Sequence, residues 1–162
     1  MKKFLILQMR PEDPTAQGEF EAILRAGGLH QEQVHVIRLE RETPAVDLND
    51  YCAIIAGGSP FDVSTPLGQK SRVQKSIEAF YTSLFDALVP RDFPFLGCCS
   101  GNGLLGQYCG ASISRTFSEP IGRVEVRLTE EGAADPLLAG LPKSFGALVG
   151  HKEACDAPPP GA

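Results

Sequence analysis

Apolar positions along the chain follow two periods. Short runs that are apolar throughout, or on every second residue, are separated by longer stretches whose apolar residues recur every three or four positions. The first run, Lys3 to Met9, is apolar almost end to end, the pattern of a strand buried on both faces of a parallel sheet. A loop, Arg10-Pro11-Glu12-Asp13-Pro14, follows. Thr15 is placed to cap a helix through about Ala26, with Phe20, Ile23 and Leu24 on one face and Gly27-Gly28 stopping it. Val34 to Leu39 alternates as a second strand, a charged connector runs from Glu40 to Asp50, and Tyr51 to Ala56 is a third strand ending in Gly57-Gly58-Ser59-Pro60. Val73, Ile77, Phe80, Leu84 and Leu88 predict a long amphipathic helix, with Lys70, Arg72, Lys75 and Glu78 on its solvated face and Pro90 breaking it. Phe93 to Leu96 reads as a fourth strand, and Leu104 and Leu105 open a further helix that Gly110 closes.

Beyond Gly110 the pattern is shorter. Ala111 to Phe117 predicts a strand, and Gly122 to Thr129 predicts a half-exposed strand with Val124, Val126 and Leu128 on one face. Ala133 to Ala139 predicts a short helix stopped by Gly140, and Phe145 to Val149 a last strand leading into Gly150-His151-Lys152-Glu153. Ala157 to Ala162 is Pro, Gly and Ala and reads as a linker or turn. Strands alternating with helices imply an α/β domain with a doubly wound, mainly parallel sheet. Right-handed crossovers then bring the loops after the third and fourth strands to the same sheet edge.

Composition narrows the function classes. The 162 residues suffice for one domain with a real core, and a net charge of -5 argues against the basic face that a nucleic-acid partner needs. No apolar run is long enough to span a membrane, and the start Lys2-Lys3-Phe4 to Leu7 is too short for a signal peptide before Gln8, Arg10, Glu12 and Asp13 end it. Five cysteines, an odd count with none in a C-x-x-C spacing, suggest neither a disulfide framework nor a metal site and fit a reducing cytoplasm. No cofactor is implied.

Chemistry concentrates at the end of the fourth strand. Gly97-Cys98-Cys99-Ser100-Gly101 runs from that strand into a helix, with Gly97 and Gly101 flanking Cys99 symmetrically. This is the nucleophile-elbow pattern with Cys in place of Ser: the glycines let strand and helix backbones approach, and a strained corner residue lifts its sulfur clear of the sheet. A thiol at a helix N-terminus also feels the positive end of the helix dipole, which favours thiolate. The competing reading, a small buried hydrophobe, suits Cys98 better. Cys52, Cys109 and Cys155 lack the frame and read as structural. Gly57-Gly58, at a strand's carboxyl end, has two readings: a plain turn, or backbone N–H groups offered to a developing oxyanion. The nearby elbow favours the second.

These residues together resemble the class I glutamine amidotransferases, particularly stand-alone members similar to the amidotransferase domain of GMP synthase. The resemblance covers nearly the whole chain. It rests on Ile54-Ile55-Ala56-Gly57-Gly58, on Pro94-Phe95-Leu96-Gly97-Cys98-Cys99-Ser100-Gly101, and more weakly on Glu119-Pro120-Ile121-Gly122 and Gly150-His151-Lys152-Glu153-Ala154. It implies a flavodoxin-like fold in which Cys99 attacks the side-chain amide of glutamine and the N–H groups of Gly58 and Ser100 form the oxyanion hole. Gly57, Asn102, Gly103, Gly150 and His151 would line the substrate site. It also implies glutamine or a related small amide as substrate; the ammonia released would go to a separate synthetase partner, to a linked step or to solvent. Two departures stand out. The elbow continues Gly101-Asn102-Gly103 where the family usually reads Gly-His-Gln, and no His-Pro-Glu segment, the family's source of general base and its carboxylate, occurs in the 162 residues. The chain is therefore expected to be a C-terminally incomplete copy of the domain. Of its three histidines, His30 and His35 read as structural, and His151 as a pocket residue rather than a makeshift base held by Glu153. The same elbow also suits another cysteine hydrolase, a thiol-based stress protein on a related fold, or a non-catalytic binding domain.

Overall fold

The computed structural model of the chain describes residues 2–159; residues 160–162, the end of the expected Pro-rich turn, lie outside it. Its centre is a four-stranded sheet of β1 (Lys3–Gln8), β2 (Val34–Arg38), β3 (Tyr51–Ala56) and β4 (Phe95–Gly97), in the order β2-β1-β3-β4 and parallel throughout. β1 is buried on both faces: Leu5, Ile6 and Leu7 are fully buried, which is why its sequence shows no polar alternation. Leu5, Leu7 and Met9 join Ile54 and Ala56 of β3 in one core with Ile77, Tyr81, Leu84, Phe85 and Leu88 of α2 (Arg72–Leu88) and Leu104 of α3 (Ser100–Tyr108). Gln8 shows that α1 (Asp13–Gly27) covers the other face, since its buried Nε2 donates to Ala16 O of that helix at 2.7 Å. Helices on both faces of a parallel sheet make the doubly wound α/β arrangement that the alternation predicts. Full burial of each Leu or Ile contributes about 1.5–3 kcal/mol.

Strand order fixes where chemistry sits. The chain leaves β1 for β2 on one side and returns to β3 on the other, so the β1/β3 boundary is a topological switch point, where open α/β sheets leave a crevice at the strands' carboxyl ends. Phe85 stacks edge-on against Phe95 of β4 and lies 5.2 Å from the Tyr108 ring, so α2 clamps both the strand and the helix that flank the elbow.

Several local expectations are corrected. α1 begins at Asp13 with Pro14 in its first turn, rather than at a Thr15 cap, because proline's fixed φ suits a helix start. In α2, Val73 is 40% exposed while Tyr81 and Phe85 are buried, so the apolar stripe is rotated from the one expected. Lys70 and Glu78 are not a solvated face. Lys70 Nζ lies 2.7 Å from Glu78 Oε2 with a side chain only 8% exposed, and the buried Gln74 donates to Glu78 Oε1 at 2.9 Å. The strand expected over 111–117 shrinks to β5 (Ile113–Ser114), because the Ser114 hydroxyl bonds Thr116 N at 3.1 Å and turns the backbone out of extension. The helix expected over 133–139 is split. α4 (Glu130–Ala134) is capped by Thr129, and Asp135, extended before Pro136, starts a separate 3₁₀ turn.

The last strand also reaches further than Val149. β7 (Ser144–His151) pairs antiparallel with β6 (Glu119–Arg127) as a hairpin apart from the parallel sheet, bringing Gly150-His151 alongside the 119–122 segment. A two-stranded ladder of β5 and β8 (Ala154–Cys155) links this region back toward α3.

Candidate active site at the carboxyl edge of the sheet

The β4–α3 corner takes the elbow form. Cys99 has φ 54 and ψ -111, and Asp92 is the only other non-glycine with positive φ among the described residues. Such backbone costs of order 1–3 kcal/mol and persists only where its surroundings enforce it. Here they do. Cys98 N donates to Ala56 O at 2.8 Å, extending β4's pairing with β3, and Gly101 N donates to Gly57 O at 3.2 Å. Asn102 N and Gly103 N both donate to Cys99 O at 3.1 Å, starting α3. The flanking glycines are steric requirements. A Cβ at Gly97 would lie 2.6 Å from Asn102 N, and one at Gly101 would lie 2.8 Å from Ala56 Cβ and 2.9 Å from Ala56 O.

The two adjacent thiols differ in setting. Cys99 is exposed at the corner, whereas Cys98 is half-buried. Burial, then the charges of Glu19 and Cys99, push the Cys98 thiol above its ordinary pKa. Cys98 thus stays protonated at neutral pH, as the reading of it as a small packing residue expects. Cys155 is likewise pushed up, first by burial and then by Asp156.

Around Cys99 lies a cleft of about 820 Å³, within the size range of small-molecule sites. Six of the residues singled out from sequence line it: Cys99, Ser100, Asn102, Gly103, Gly150 and His151. Ser100 also ties the elbow to the loop after β3, its Oγ accepting from Ser59 N at 3.0 Å with the two hydroxyls 2.9 Å apart. Gly57 and Gly58 are not in the lining. Gly58 N–H is turned onto a carboxylate, donating to Glu19 Oε1 at 2.9 Å. A Cβ at Gly103 would meet only Val63 Cγ2 at 3.7 Å, so packing there does not require glycine.

His151 and Glu153 do not form a local pair. His151 Nε2 is 2.9 Å from Phe117 O and 3.5 Å from Glu119 Oε2, while Glu153 accepts from Val63 N and, at 3.0 Å, from Ser64 N. Glu153 therefore fastens the loop after β3 to the segment after β7. His35 Nδ1 bonds Tyr51 Oη at 2.6 Å and His30 caps the turn before β2, both at the amino-terminal edge of the sheet, opposite Cys99.

Sequence reasoning missed Arg10 and Glu19. Arg10, just past β1, lines the cleft, and its Nε is 3.4 Å from Glu19 Oε1. The one available signal for Arg10 was its place at the carboxyl end of a strand beside the switch point. Nothing in the helical pattern marks Glu19. No cluster of three or more His, Cys, Asp or Glu able to hold a metal occurs among the described residues, nor does any helix long and apolar enough to cross a membrane.

The family is settled by comparison. A model of the class-I glutamine amidotransferases matches residues 17–162, and the chain belongs to that family. It is 28% identical over 128 residues to a glutamine-hydrolysing GMP synthase subunit of Sulfurisphaera tokodaii, a match covering 79% of this chain and 61% of that protein. A glutamine amidotransferase from Thermotoga maritima superposes with a TM-score of 0.74 at 18% identity, over 97% of this chain and 63% of that one. One from Methylobacillus flagellatus gives 0.71 at 19% identity, over 98% of this chain and 59% of that one. These likenesses establish the shared fold. The chain spans about three fifths of the length of these relatives.

Two outcomes follow from the corner's geometry. Gly97→Ala forces a Cβ into backbone that cannot swing aside, and is expected to destabilise the protein by about 1–3 kcal/mol; a urea denaturation midpoint equal to that of the unmodified chain contradicts this. Iodoacetamide at neutral pH, followed by peptide mapping, is expected to modify Cys99 ahead of Cys98, Cys52 and Cys109. Faster modification of any of those three removes the basis for a nucleophile at 99.

Proposed function

We propose that the chain carries the glutamine-hydrolysing chemistry of an amidotransferase, with Cys99 as the nucleophile. The observation that carries this reading is the exposed thiol at positive φ, opening a helix inside a cleft that gathers six of the site residues expected from sequence. In this reading Cys99 Sγ attacks the side-chain amide carbon of glutamine. A carbon–sulfur bond forms, and the carbonyl oxygen takes the charge beside the N–H groups of Ser100 and Gly58. The carbon–nitrogen bond then breaks, and the nitrogen leaves as ammonia with the proton the thiol gave up. Water hydrolyses the glutamyl thioester to glutamate and returns the proton to sulfur.

The remaining cleft residues would hold the substrate. Asn102 and Gly103 lie on the first turn of α3 and Gly150 and His151 form the far wall, while Gly57, outside the lining, would act only through the loop that carries Gly58. The proton transfers need a base, and His151 is committed to Phe117 and Glu119. The resemblance assigns that base to a His-Pro-Glu segment, and these 162 residues contain none. The ammonia acceptor would be a separate synthetase, as the likeness to a GMP synthase subunit supports, and the setting a reducing cytoplasm.

The test separates a glutamine-shaped pocket from a merely reactive thiol. A glutamine-mimicking chloroketone is expected to label Cys99 in a single site, with free glutamine slowing the labelling and acetamide not doing so. Labelling of Cys99 that glutamine fails to slow contradicts the assigned substrate.

A further inference from the structure

The Glu19 carboxylate occupies the amide that the proposed site needs open. Gly58 N–H carries one proton, and Glu19 Oε1 accepts it at 2.9 Å. The carboxylate is held from two other sides. Arg10 Nε lies 3.4 Å from Oε1, and Gln8 Nε2 donates to Oε2 at 3.2 Å. Gln8 itself is 3% exposed and anchored on Ala16 O. Room for the carboxylate exists because residue 57 has no side chain: a Cβ there would lie 2.5–2.8 Å from the carboxylate atoms of Glu19. The Arg10 guanidinium packs over Gly58, and Cys99 Cβ is 3.5 Å from the position a Gly58 Cβ would take. Carboxylate, guanidinium, amide and nucleophile thus form one contiguous group.

A hydrogen bond to a charged acceptor is about twice as strong as a neutral one. A neutral amide carbonyl therefore competes poorly with Glu19 for Gly58 N–H, whereas a tetrahedral oxyanion carries equal charge. Arg10 and Gln8 keep the carboxylate paired when the amide leaves it, which removes the cost of stranding a part-buried charge.

We propose that Glu19 is an internal competitor for the oxyanion: it closes the Gly58 half of the hole in the ligand-free protein, and yields that N–H only as negative charge develops on the attacked carbonyl. This rests on the assignment of Gly58 as an oxyanion donor. The consequence is discrimination, because carbonyl compounds that bind without being attacked gain nothing from Gly58.

Two reagents at Cys99 test it without requiring glutamine or a general base. p-Nitrophenyl acetate acylates the thiol through a tetrahedral oxyanion, forming the sulfur–carbon bond and releasing p-nitrophenolate. Iodoacetamide alkylates by direct displacement and forms no oxyanion. The ratio of the two rates at Cys99, followed by peptide mapping, reads the hole and cancels differences in thiolate fraction. In Glu19→Ala the ratio is expected to rise roughly tenfold, part of the 10²–10³ that one oxyanion donor supplies. Glu19→Gln, which keeps a weaker neutral acceptor, is expected to give a smaller rise. Gly57→Ala, which pushes the carboxylate aside with Glu19 intact, is expected to move the ratio the same way. Circular dichroism identifies the folded variants, and Glu19→Gln decides if the alanine variant does not fold. An unchanged or lower ratio in folded Glu19→Gln overturns the proposal and leaves Glu19 as a structural anchor of the loop. If the ratio rises but the chloroketone labelling is not slowed by glutamine, the competitor stands and the substrate assignment falls.

Discussion

The backbone at Cys99 is the constraint on which the rest of the structure depends. A non-glycine residue at φ 54 is held only because Gly97 and Gly101 let α3 close onto the end of β3 with no side chain between them. Two of the hydrogen bonds that enforce the corner, from Cys98 N to Ala56 O and from Gly101 N to Gly57 O, also hold the end of β3 and the start of the loop after it. One local strain therefore sets three things together: the exposure of the thiol, the start of α3, and the position of the glycine pair.

That corner in turn needs a rigid sheet. β1, buried on both faces, carries β3 beside it, and β3 carries β4, so the carboxyl ends of three parallel strands are level at one edge. The aromatic contacts of Phe85 with Phe95 and Tyr108 lock the strand and helix on either side of the elbow. The β6–β7 hairpin supplies the opposite wall of the cleft and is tied down by Glu153 and the β5–β8 ladder rather than by the central sheet. The rigid half holds Cys99, and the hairpin half holds Gly150 and His151.

What was legible in the sequence is what sterics and burial write into it. β1 reads as a strand because both faces are covered, and the elbow reads as an elbow because glycine is the only residue that fits at 97 and 101. The last third of the chain, after Gly110, is less legible, since single side chain–backbone bonds decide it: Ser114 cuts a strand short, and Asp135 divides a helix. Apolar periodicity also gave Lys70 and Glu78 to solvent, because it cannot show that two opposite charges bury each other. Arg10 and Glu19 were invisible for a related reason. Their meaning lies in the atoms they reach across the switch point, and no spacing along the chain encodes that.

The proposed glutamine hydrolysis requires Cys99 to accept an acyl group in a pocket shaped for a glutamyl side chain. Intact-protein mass spectrometry after incubation with a γ-activated ester of glutamate tests it most directly, because the activated leaving group needs no protonation. One glutamyl adduct per chain is expected, mapping to Cys99 and absent from Cys99→Ser. An adduct on Cys98 or Cys52 instead, or no adduct in protein whose Cys99 still alkylates with iodoacetamide, would contradict it.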